Sequence, residues 1–141
     1  MPRRSRAREV ALQALHHGEF NPQAEVADRA KFLKGRLHSG PLVAFATSLV
    51  DGVIRDRAVL DARLDEVSAN WRVSRMAVSD RTVLRIALFE LLHTDTPGPV
   101  VVDEAIELAR RYGGEASPRF VAGILGRLLA ERNTAGAAAP R

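Results

Sequence analysis

At 141 residues the chain is long enough to hide about two thirds of its unfolded surface without staples. Its lack of cysteine excludes disulfides, cysteine-ligated iron–sulfur clusters and thiolate zinc sites, and fits a reducing cytoplasm. A formal net charge of +4 points to an anionic partner, but a GC-rich genome also produces such an arginine bias, so the placement of the charges matters more than their sum.

Helical periodicity dominates, and no run alternates like a strand. The expected fold is all-α, in two packed helical halves. A first helix is expected over about 5–18 and a second over about 22–37, with Arg29, Lys31, Lys34 and Arg36 in its later turns. Ser39-Gly40-Pro41 breaks it. A third helix follows over about 41–56 and a fourth over about 57–70, carrying Leu60, Leu64 and Val67 at helical spacing. Trp71 and the short segment 74–78 bridge the halves. Three more helices, at about 80–94, 100–112 and 117–132, are separated by a Pro/Gly turn ending at Pro99 and by Gly113-Gly114. The glycine pair has the form of a left-handed C-cap, and Ser117-Pro118 that of an N-cap with proline at the first helical position. The expected domain is 1–132, with halves of about 1–70 and 71–132, followed by a disordered tail at 133–141. The longest apolar run, Leu42 to Ala46, is far shorter than the roughly twenty residues of a membrane span, and the basic start leads into no secretory core. A soluble, cytoplasmic protein is expected.

Two features bear on chemistry. The helix at 80–92 is apolar almost all round yet carries Arg85 at its middle. A guanidinium there needs a partner, and Asp103, Glu104 and Glu107 of the next helix are the candidates; Arg85 with Glu104 or Glu107 reads as a structural ion pair. Then, Arg3, Arg4, Arg6 and Arg8 all precede the first acid, Glu9. Cations at a helix N-terminus oppose the macrodipole, so stability does not ask for them. They read as phosphate ligands or as a solvated, frayed tail. His16, His17, His38 and His93 have no metal-ligand spacing, and neither a phosphate loop nor a nucleophile elbow is present. No enzyme, metal or cofactor is implied.

Three ordered motifs carry a resemblance: Asp80-Arg-x-x-Leu-Arg-Ile-Ala-x-x-Glu-Leu91, then Pro99 with Val102-Asp-Glu-Ala-Ile-Glu-Leu-Ala109, then Phe120-Val-x-Gly-x-Leu125. With the arginine-rich first helix at 4–15, they resemble the NusB family of bacterial transcription antitermination factors. The resemblance implies an RNA-binding factor that acts with NusE, a small ribosomal subunit protein. The pair would grip single-stranded boxA RNA and help the RNA polymerase antitermination complex through ribosomal RNA operons. It implies RNA contacts at Arg3, Arg4, Arg6, Arg8, His16, Arg119 and Phe120, and NusE contacts at Asp80 and Arg81. Ser5 falls where some members have another arginine, His16 replaces a frequent tyrosine, and Ala122 replaces the usual asparagine. Phe120 reads equally as core packing beside Ile124, Gly123 as a close helix approach, and Asp80 and Arg81 as a helix-start acid and a solvated arginine. A helix-turn-helix DNA regulator built on 104–125 and a structural helical adaptor are the alternatives.

Overall fold

The computed structural model describes residues 3–20, 26–68 and 70–138. Among them are α1 (Arg3–Phe20), α2 (Val26–Arg36), α3 (Gly40–Val67), α4 (Val78–His93), α5 (Gly98–Tyr112) and α6 (Ser117–Ala138), with a 3-10 turn at Val73–Arg75 and no strand. The all-α expectation holds. The chain divides into two compact units, residues 1–57 and 58–141. No helix among the described residues is long and apolar enough to cross a membrane.

The expected third and fourth helices are one. α3 runs unbroken through the anticipated break at 56–57, because nothing there interrupts it. Leu49, Val53, Leu60 and Leu64 keep helical spacing and are all buried. Each such side chain contributes about 1.5–3 kcal/mol on burial, which outweighs the roughly 1 kcal/mol that Gly52 costs in a helix interior. The division between units therefore falls inside α3, earlier than the Trp71 turn at which the sequence places it. Trp71 itself, expected near a junction, is 55% exposed. The start expected for the second helix lies in 21–25, outside the described residues.

In the first unit α1 packs against α2. Its stretch Ala7–Leu12 is buried on every side, Arg8 and Glu9 included. In the second unit α4 lies against both α5 and α6 and is buried continuously from Thr82 to Leu91. The end of α3 joins this unit through polar contacts: Arg127 Nη1 donates to the Val67 carbonyl at 2.8 Å, and Arg63 bridges Glu66 at 2.8 Å and Glu131. These anchors lie along α6, which continues to Ala138, beyond the 132 limit expected from sequence.

The Gly113-Gly114 break works differently from the expectation. Gly113 is extended, at φ −100° and ψ −170°, and no described glycine has positive φ. A Cβ on Gly113 would stand 2.4 Å from Ser117 Oγ and 2.8 Å from the Ala109 carbonyl, so close approach is what requires glycine. Ser117 does not cap its own helix. Its hydroxyl accepts from Gly114 N–H at 3.0 Å, while Phe120 N–H bonds the Ala116 carbonyl at 3.1 Å.

Candidate nucleic-acid interface

Charge is distributed unevenly between the units. Residues 1–57 hold ten Lys or Arg against six Asp or Glu, and residues 58–141 hold eleven of each. The whole formal +4 therefore sits in the first unit, and within it in the single segment from α1 through α2.

The first turn of α1 contains no acid. Arg3 and Arg4 are exposed, and neither has a carboxylate partner among the described residues. Arg4 is held by an aromatic ring instead, its guanidinium carbon 4.5 Å from the Phe45 centroid on α3. Arg6 is partly exposed and pairs with Glu9, one helical turn on. Arg8 departs from the expectation. It is only 4% exposed, with its guanidinium carbon 5.2 Å from the same Phe45 ring, so it is built into the first unit rather than offered to a phosphate. The all-round burial of 7–12 is the reason, and an arginine count along the sequence does not reveal it. His16 is half-buried on the same helix.

At the start of α6, Arg119 is exposed and Phe120 half-buried. Phe120 thus presents part of its ring beside Arg119. Phe120→Leu keeps most of the buried contact and removes the aromatic face. The variant is expected to melt almost normally, while losing about 1–3 kcal/mol of binding if a base stacks there. Full binding by the leucine variant would make Phe120 a packing residue only. Ala122 is half-buried and Gly123 exposed. A Cβ on Gly123 would meet nothing within 4 Å, so the close helix approach suggested by the sequence is absent. Gly123→Ala is accordingly expected to stabilise the chain by up to about 1 kcal/mol, read as a raised melting temperature; a lowered one would show a contact the open space does not reveal. In the first turn of α6 Arg119 is the only exposed side chain, a poor offering to base edges, so the helix-turn-helix alternative gains nothing.

Asp80 and Arg81 occupy the first turns of α4, both half-exposed. Asp80 is the acid of that first turn, where the macrodipole favours it, and its Oδ1 has no hydrogen-bond partner among the described residues. Arg81 Nη1 reaches back to the Met76 carbonyl at 3.4 Å.

Arg85 is buried, at 5% exposure, and an acid that the sequence reading did not name grips it. Asp61, from the far part of α3, receives Nε at 2.7 Å and Nη2 at 2.9 Å. Glu107, one of the expected partners, pairs at 2.6 Å with Arg110 on its own helix, and Glu104 is half-buried. Sequence reasoning missed Asp61 because it lies 24 residues from Arg85 with no local pattern joining them. It also missed Phe45 as a seat for two arginines, and the burial of Glu90 at 1% exposure.

These features define an all-α protein whose excess positive charge is gathered in one helical unit. The model of the NusB family matches residues 5–130; the chain belongs to this family of transcription antitermination factors. It is 48% identical over 126 residues to the transcription antitermination protein NusB of Anaeromyxobacter dehalogenans, with 87% of each chain covered. Among solved structures, NusB of T. maritima is 35% identical with a TM-score of 0.82, covering 93% of this chain and 92% of that one. A chain from a crystal structure of antitermination factors NusB and NusE in complex with dsRNA has a TM-score of 0.80 at 22% identity, over 93% of this chain and 98% of that one, and so shares the fold.

Proposed function

We propose that this chain is an RNA-binding antitermination factor that joins NusE to hold single-stranded boxA RNA during ribosomal RNA transcription. It acts by binding and carries out no chemistry. The observation that carries this reading is the gathering of the whole net charge in the first unit, with Arg3 and Arg4 exposed and free of carboxylate partners among the described residues at the start of α1. Guanidinium groups so placed neutralise phosphates, and an aromatic such as Phe120 beside Arg119 stacks on an unpaired base. His16, half-buried on α1, adds a smaller stacking surface. The start of α4, with Asp80 and Arg81, is the proposed NusE face. Membership of the family supports the reading, and the fold is shared with a chain from a complex of NusB and NusE with dsRNA.

The test is a binding series against boxA RNA, an unrelated single strand, double-stranded RNA and duplex DNA, each with and without NusE. Preference for the boxA strand, strengthened by NusE and weakened by Asp80→Asn with Arg81→Ala only when NusE is present, is the expected pattern. Equal binding to all four polymers, or tightest binding to duplex DNA, overturns it.

A further inference from the structure

A second cluster of cations and rings lies at the other end of α1, outside the residues assigned to RNA above. His17, in the last turn of α1, stacks on Phe32 of α2 at 6.2 Å between centroids and 13° between planes. The guanidinium carbon of Arg36 stands 3.7 Å from the centroid of the same ring. His17 and Arg36 are exposed, as are Lys31 and Lys34 on α2. Among the described residues no carboxylate pairs with Lys31, Lys34 or Arg36. The helix dipole accounts for Lys34 and Arg36, which lie in the last turn of α2. It does not account for Lys31, which precedes that turn, nor for an imidazole and a guanidinium gathered on one phenylalanine.

We infer that His17, Phe32 and Arg36, flanked by Lys31 and Lys34, form a second seat for a single RNA strand at the end of α1 opposite Arg3 and Arg4. This inference rests on the RNA-binding reading proposed above and extends its footprint. Both ends of α1 repeat one chemistry: the exposed Arg4 guanidinium over Phe45 at the first, a guanidinium and an imidazole over Phe32 at the second. Planar cations and imidazoles are the surfaces on which unpaired bases stack, and lysines beside them neutralise the backbone. Fourteen residues separate Arg3 from His17, which is about 21 Å of helix axis. At about 3.4 Å per stacked nucleotide, a strand touching both ends must be roughly six nucleotides longer than one held at the first end alone.

The experiment compares the full chain with a Lys31→Gln, Lys34→Gln, Arg36→Gln variant, whose altered side chains are all exposed. Two boxA RNAs are used, a hexamer and a strand twice as long, each across a fourfold range of salt. For the parent, the long strand is expected to bind more tightly and to lose more affinity with salt. Three phosphate contacts on a single strand add about 2.1 to the logarithmic salt slope, or about eighteen-fold over that range. The triple variant should lose this excess on the long strand and bind the hexamer as the parent does. His17→Ala should weaken only the long strand, with an unchanged melting temperature. The inference is overturned if the parent binds both strands equally, if the variant matches the parent on the long strand, or if the variant weakens NusE binding in the absence of RNA while leaving the RNA slopes alone. Failure of the parent to bind either strand removes the RNA reading itself, and this inference with it.

Discussion

Arg85→Ala should lower the unfolding free energy by about 3–5 kcal/mol, because it strands a carboxylate whose partner was buried. The guanidinium lies on α4 and grips Asp61 through two parallel bonds of 2.7 and 2.9 Å, the fork geometry that makes such pairs strong. It also ties the end of α3 to the central helix of the second unit. The Asp61 side chain is 26% exposed, so a released carboxylate regains part of its hydration and the loss should fall nearer 3 than 5 kcal/mol. Asp61→Ala should be comparably harmful, since it withdraws both bonds from a guanidinium only 5% exposed. The double variant Arg85→Met with Asp61→Leu should recover most of the stability, as apolar groups of similar volume often replace buried pairs at little cost. Denaturant unfolding of the four proteins measures this directly. A loss below about 1 kcal/mol in Arg85→Ala would mean that the pair is effectively solvated, and a stable Arg85→Ala protein with lost RNA affinity would make Arg85 a ligand contact.

What the sequence revealed about this pair, and what it hid, follows from the range of the forces involved. An arginine at the centre of an all-round apolar helix signals a buried ion pair, because the desolvation penalty is local to α4. The identity of its partner depends on which helix end reaches that position, and no periodicity encodes that. The same division holds elsewhere. The last three helices were legible from Pro97-Gly98-Pro99 and Gly113-Gly114, since breakers act on their own backbone. The continuity of α3 was not, because burial of Leu49, Val53, Leu60 and Leu64 decides it. Phosphate ligands suffer most from this limit. Arg3, Arg4, Arg6 and Arg8 look alike in sequence, yet tertiary packing separates two exposed arginines, one tied to Glu9 and one buried.

That separation predicts different outcomes for the four arginines. Replacing Arg3 and Arg4 by Gln should reduce the logarithmic salt slope of single-strand binding by about 1.4, or about seven-fold in affinity over a fourfold rise in salt. Stability should stay level or rise slightly, because two cations leave the positive end of the α1 dipole. Loss of the Arg4 contact with Phe45 offsets part of that gain, by about 0.5–1 kcal/mol at an exposed site. Arg6→Gln should take a further 0.7 or so from the slope, but also lower the melting temperature, because its partner Glu9 is 3% exposed and loses this ion pair. Arg8→Gln should leave the slope unchanged and destabilise the first unit, since a buried guanidinium seated against Phe45 contributes packing as well as charge. Salt titrations of RNA binding and thermal melts on the same four proteins separate these cases. An Arg8→Gln protein that melts normally and shows a flattened slope would place Arg8 at the RNA. An Arg3→Gln, Arg4→Gln protein with the parental slope would take the start of α1 out of the interface altogether.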